Sequence, residues 1–136
     1  AHNFFINQRE LAGTKHIIRG NSVKEMYKVL SNNGLLGLVS DQDAKSKGVF
    51  VDFFGTPAST PKGAALFHIN TRAPLLLGVC FKENFQKYHI HFKAINTKNK
   101  SLEEITQEYT SQLESYIKQY PDQYFWFHRR WKTKKT

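Results

Sequence analysis

VFVDFFGTPASTPKGAALFHINTRAPLLLGVCFK, residues 49–82, decides the fold class. Its first part, VFVDFF (49–54), is β-branched and aromatic, closes at Gly55, and reads as a strand. TPKGAALFHINTR (60–72) reads as a helix, with Thr60 as N-cap and Pro61 at the first helical position, where a missing N–H costs nothing. APLLLGVCFK (73–82) is a continuous apolar run, as expected of a strand covered on both faces. Strand, helix and strand in succession imply a layered α/β arrangement.

Working outward supports the same class. A turn at Glu83 and Asn84 leads to YHIHFKAI (88–95), which alternates in period two. SLEEITQEYTSQLESYIKQY (101–120) is the strongest helix. Ser101 and Glu104 form a capping box, acids fill the first turn, and Leu102, Ile105, Tyr109, Leu113, Tyr116, Ile117 and Tyr120 make an apolar stripe. Pro121 stops it. Upstream, residues 3–12 have weak helical character and close at Gly13, HIIR (16–19) reads as a short strand, and SVKEMYKVLSNNG (22–34) is an amphipathic helix with a Ser22–Glu25 capping box. LLGLV (35–39) reads as a buried strand. The fold expected is an α/β sandwich with a mixed sheet, in a single domain spanning residues 1–136.

The 136 residues suffice for one hydrophobic core. With 20 Lys and Arg against 11 Asp and Glu the formal net charge is +9, which favours anionic partners: phosphate, nucleic acid, acidic proteins or a membrane surface. The lone Cys80 cannot make an internal disulfide, and a reducing compartment is the simpler reading. No run reaches transmembrane length and no signal peptide is visible.

Familiar catalytic patterns are missing from the sequence. It has no G-x-S-x-G elbow, P-loop or dinucleotide fingerprint. His89 and His91 share one strand face without a third ligand at zinc spacing, and Asp41-Gln42-Asp43 lacks calcium-loop spacing, so no metal and no cofactor is expected. The loop Ser40-Asp41-Gln42-Asp43 follows an apolar run, the place where α/β sheets bind ligands, although Asp is also an ordinary turn former. Basic residues gather near the start (Arg9, Lys15, Arg19), beside that loop (Lys45, Lys47), and in YPDQYFWFHRRWK (120–132), where four aromatic residues run into His128, Arg129, Arg130, Trp131 and Lys132. Aromatic rings beside arginines suit single-stranded nucleic acid, yet the recurring aromatic and basic strands of RNA-binding folds are lacking.

Three stretches in this order, DQDAKSKGVFVDFFGTPASTPKGAA, APLLLGVCF and YPDQYFWFHRRWKTK, resemble the bacterial lipid A biosynthesis acyltransferases, the lauroyl and myristoyl transferase family. The likeness covers essentially the whole chain. It implies a partial α/β domain of the glycerophosphate acyltransferase-like fold, the C-terminal portion of a longer protein. It further implies transfer of a fatty acyl group from an acyl carrier protein thioester to a hydroxyl of a lipid A precursor, at the cytoplasmic face of the bacterial inner membrane. The alternatives are an acyltransferase on another phospho- or glycolipid and, from a different class, a basic nucleic-acid-binding module.

The family's catalytic motif is H-x-x-x-x-D/E. Five residues after His2, His16, His68, His89, His91 and His128 stand Asn7, Asn21, Ala73, Ala94, Asn96 and Thr133, none of them acidic. The resemblance therefore assigns no catalytic residue here and implies that the chain alone is inactive. It assigns substrate binding to Arg9, Asp41 and Asp43, and a headgroup or phosphate role to Arg129, Arg130 and Lys132, with Trp126 and Trp131 suited to a membrane surface. Nucleic acid is not an expected partner on this reading.

Overall fold

The computed structural model describes residues 2–17 and 22–135. They fall into two compact units, residues 1–37 and 38–136.

The first unit contains α1 (His2–Leu11) and α2 (Val23–Ser31). Helix α1 ends as its sequence suggests, with Gly13 at φ 80°. Helix α2 is amphipathic, but Ser22 has helical dihedrals and makes no side-chain cap hydrogen bond, so the expected Ser22–Glu25 box does not form. A capping hydroxyl needs extended backbone to reach back to the N3 amide, and Ser22 lacks it. At the other end Asn33 takes φ 56°, and the Gly34 N–H bonds Val29 O at 2.8 Å. A Cβ on Gly34 would lie 2.8 Å from that carbonyl oxygen, which explains the glycine. Of the HIIR strand, residues 18 and 19 lie outside the described residues.

The second unit is built on α4 (Leu102–Gln119), and its capping box forms as read. The Glu104 N–H donates to Ser101 Oγ at 3.2 Å, and the Ser101 N–H donates to Glu104 Oε2 at 2.7 Å. Two antiparallel hairpins flank the helix. One pairs β1 (Val49–Phe53) with β2 (Thr56–Thr60), and the other pairs β3 (Leu76–Lys82) with β4 (Tyr88–Ala94). Between the hairpins in sequence lies α3 (Gly63–Thr71). The class is α/β, with both sheets two-stranded and antiparallel and no parallel pairing among the described residues.

Three local readings are corrected. Thr60 does not cap a helix. TPAST pairs with β1, and α3 begins only at Gly63, because Phe54 (φ 55°) and Gly55 (φ 75°) make a two-residue hairpin turn that sends residues 56–60 back along β1. Residues 35–39 are irregular rather than a buried strand. Leu35 and Val39 are 88% and 85% exposed, and an apolar run becomes a strand only where neighbours cover it. Strand β3 is covered on one face only: Leu77, Val79 and Phe81 point in, while Leu76, Gly78 and Cys80 are exposed.

The core has two clusters, one on Ala65, Ile95, Ile105 and Tyr109, the other on Phe53, Ala58 and Ile117. Helix α4 contributes to both, since its stripe faces both hairpins. Thr106 and Thr110 are buried beside Ile105 and Tyr109, and each returns its hydroxyl to the carbonyl four residues back, at 2.8 and 2.7 Å. Two glutamines complete strand edges. The Gln107 amide takes the Asp52 N–H (2.7 Å) and gives to the Asp52 carbonyl (3.0 Å), and Gln123 does the same for Lys82 (2.7 and 3.0 Å). Each side chain thereby pairs backbone groups that a further strand would have paired.

Candidate functional site

Residues 40–48 form the loop that enters β1, with a 3₁₀ turn at Lys45–Lys47. The loop lies close against β2. The Ala44 N–H donates to Ser59 O (3.1 Å), Ser59 Oγ donates to Lys45 O (2.6 Å), and a Cβ on Gly48 would stand 2.9 Å from the Thr60 carbonyl oxygen. Only glycine allows that approach.

The segment after α4 crosses back over the loop and fixes the two aspartates. Tyr124 donates its hydroxyl to the Asp41 carbonyl at 3.2 Å. The Asp43 N–H donates to His128 Nε2 at 2.9 Å, which requires that ring nitrogen to be unprotonated. Thr133 donates its hydroxyl to Asp43 Oδ2 at 2.9 Å. Asp41 Oδ1 and Asp43 Oδ1 are both buried, with no hydrogen-bond partner among the described residues. Each carboxylate thus keeps a buried acceptor oxygen, which normally finds a partner.

Arg130 lies behind them, 2% exposed. Its guanidinium donates to Ser59 O (2.8 Å) and Thr60 Oγ1 (2.5 Å) and lies 5.1 Å from the centre of the Phe53 ring. Burial lowers its pKa below the usual guanidinium value, opposed by Tyr124, Asp43 and Asp41. Burial, and then Asp41, raises the Tyr124 hydroxyl above its ordinary value. Trp131 stacks on Phe53 at 5.5 Å and donates Nε1–H to the Phe53 carbonyl.

An open cleft of about 360 Å³ runs from this polar cluster between α4 and β3. Asp41, Tyr109, Tyr124 and Arg130 stand among its polar lining, and Leu75, Leu77, Leu113 and Ile117 give it apolar walls. It joins buried charged and hydroxyl groups to an apolar wall.

This layout, an acidic loop clamped by a carboxy-terminal aromatic and basic segment, uses the same stretches that carried the sequence resemblance. The model of the bacterial lipid A biosynthesis acyltransferases matches residues 2–133. The chain belongs to that family. It is also 29% identical, over 135 residues, to a phosphatidylinositol mannoside acyltransferase of Mycobacterium tuberculosis strain H37Rv, and 28% identical to its counterpart in strain CDC 1551. Each match covers 93% of this chain but 42% of the relative, so the chain spans less than half the length of these relatives.

In this lipid A acyltransferase-family chain the residues singled out from sequence separate into groups. Asp41 and Asp43 come together with Arg130. Arg129 and Lys132 are exposed, whereas Arg130, read with them as a headgroup cation, is committed to the Ser59 carbonyl and the Thr60 hydroxyl. Trp126 is 47% exposed, but Trp131 is half-buried in the Phe53 cluster, its ring stacked on Phe53 and its N–H given to the Phe53 carbonyl. Arg9, in the last turn of α1, is exposed, with Nη1 3.4 Å from His16 Nδ1. Lys45 and Lys47 are exposed, and no ion pair among the described residues joins them to the aspartates.

Sequence reading missed Tyr124 and Thr133 as partners of the loop, and it did not link His128 to Asp43. No spacing rule connects residues so far apart. Among the described residues no group of three or more His, Cys, Asp and Glu could hold a metal, and no helix is long and apolar enough to cross a membrane.

Proposed function

We propose that this chain is the acceptor-binding C-terminal portion of an acyltransferase. The whole protein would move a fatty acyl group from a thioester donor to a sugar hydroxyl of an anionic glycolipid at a membrane surface. Family membership supports the reaction class. The observation that carries the acceptor role is the pair of buried, unpartnered Oδ1 atoms on Asp41 and Asp43, held by Tyr124, His128 and Thr133 beside Arg130. A carboxylate oxygen without a partner is a ready acceptor for a sugar hydroxyl, and fixing it in advance removes the cost of ordering it at each turnover.

Within this reading the donor is an acyl carrier protein thioester, in keeping with the net charge of +9. The acceptor is a lipid A precursor or a phosphatidylinositol mannoside, and the reaction takes place at the cytoplasmic face of the inner membrane. The general base on the acceptor hydroxyl would come from an H-x-x-x-x-D/E motif outside residues 1–136, so the chain alone turns nothing over.

The test is acyl transfer by the complete enzyme carrying Asp41→Asn or Asp43→Asn. Asparagine keeps shape and turn preference while removing the charge. We expect kcat/KM to fall by about ten- to a thousandfold, roughly 1.4–4 kcal/mol, with the melting temperature nearly unchanged. Full activity in both variants would reduce the loop to a turn. Ordinary turnover by residues 1–136 on their own would overturn the division of labour.

A further inference from the structure

The segment from Tyr124 to Lys135 sorts its side chains into two sets. Tyr124, Arg130 and Trp131 point inward onto Asp41, Ser59, Thr60 and Phe53. Phe125 and Phe127 point outward, 61% and 89% exposed, with ring centres 5.8 Å apart. This outward pair is held on a fixed base. Trp126 ties its indole N–H to the Pro121 carbonyl at 2.6 Å, and backbone bonds run from Trp126 N to Tyr124 O, His128 N to Phe125 O and Arg130 N to His128 O. Those amides are consumed inside the turn, so they are not free to extend a β-ladder. Arg129, Lys132, Lys134 and Lys135 are all exposed beside it, and no acidic residue follows Asp122.

We propose that residues 125–132 form a membrane-interface wedge, in which Phe125 and Phe127 enter the headgroup boundary of a bilayer and Arg129 and Lys132 meet anionic lipid headgroups. Phe has no polar handle, and with Phe125 61% and Phe127 89% exposed on a pinned turn, an apolar phase that takes up the rings would stabilise them. Adjacent fixed cations select a negatively charged surface for that phase. Single-stranded nucleic acid fits less well. These two rings lean on each other at 50° and so partly occupy the faces on which bases would stack. The wedge deepens the proposed function by naming how the chain would meet the membrane, but its test measures binding alone and stands whether or not acyl transfer is found.

The experiment is co-sedimentation of the chain with phosphatidylcholine vesicles, with and without phosphatidylglycerol, alongside quenching of tryptophan fluorescence by brominated lipid. We expect binding to the anionic vesicles and quenching that disappears in Trp126→Phe. Phe127→Ser should weaken binding about tenfold, a partial loss of the transfer free energy of one ring. Arg129→Gln with Lys132→Gln should weaken it about tenfold or more and remove the preference for phosphatidylglycerol. Phe127 makes little contact with the fold, so its serine variant should keep the native melting temperature. The proposal is overturned if Phe127→Ser and Phe125→Ser bind anionic vesicles as well as the parent chain does. It is equally overturned if brominated lipid leaves Trp126 unquenched, or if the phenylalanines matter only for binding a single-stranded oligonucleotide.

Discussion

The two hairpins share one helix and have opposite surroundings. The β1–β2 pair buries Val51, Phe53, Ala58, Ser59 and Thr60, with α4 on one side and the segment through Arg130 and Trp131 on the other. Strands β3 and β4 are longer, yet every residue of β4 is exposed, including Ile90 at 62% and Phe92 at 69%. Length and β-propensity do not explain the difference in burial. What differs is how many other elements reach the strands, and this is why the site was built on the shorter pair. A carboxylate can be held to a fixed geometry only by neighbours that are themselves fixed.

This contrast can be broken most severely at Phe53. Phe53→Ala removes a fully buried ring that touches Phe54, Tyr124, Trp131 and Arg130, and should cost about 3–5 kcal/mol in urea unfolding. The matching change Phe92→Ala should fall within about 0.5 kcal/mol, as for a surface substitution. Equal losses at the two positions would mean that the second hairpin is covered after all.

Arg130 sharpens the comparison at intermediate size. Arg130→Met keeps much of the apolar stem but leaves the Ser59 carbonyl and Thr60 hydroxyl without their donor, so about 1.5–3 kcal/mol should be lost. Arg130→Lys should recover little of it, because an ammonium cannot reproduce the two-pronged contact. Full rescue by lysine would show that charge, and not the fork, matters at this position.

The smallest effect is expected at the cap of the shared helix. Ser101→Ala removes the acceptor of the Glu104 N–H and should cost about 1 kcal/mol, lowering the stability of both hairpins together because α4 supports both. Glu104 is itself held below the ordinary carboxylate pKa, chiefly by the backbone hydrogen bond from Ser101. Its folded pKa is depressed, so this contribution is present above the unfolded value and is lost as pH falls through the folded one.

The parts of the molecule legible in the sequence were those encoded over a few residues. The α4 capping box, the α1 ending at Gly13, strand β1 and the alternation of β4 all rest on neighbours within one or two turns. The hairpin turn at Phe54-Gly55 was missed because Phe is an uncommon residue at positive φ, and Pro61 made a helix start at Thr60 persuasive. Burial of Thr106 and Thr110 was invisible in a hydrophobic count, since their hydroxyls are satisfied within the helix. At the site, residue types pointed to the acidic loop and to the aromatic and basic segment separately. The sequence offered no means of telling that the second clamps the first, or that Arg130 turns inward while Arg129 stays out.

The bond from the Asp43 amide to His128 joins residues 85 positions apart, and the Phe53 carbonyl waits for an indole 78 positions later. During synthesis β1, β2 and the acidic loop leave the ribosome long before the residues that hold them. The growing chain therefore carries an exposed Phe53 and two unrestrained aspartates until residues 128–133 have been made. A stop or frameshift after Tyr120 would leave all four α-helices and all four strands of the described residues in the product and still remove the groups that fix the loop. Such a product should be made in full, fold poorly around β1, and be recognised by proteases and chaperones as unfinished.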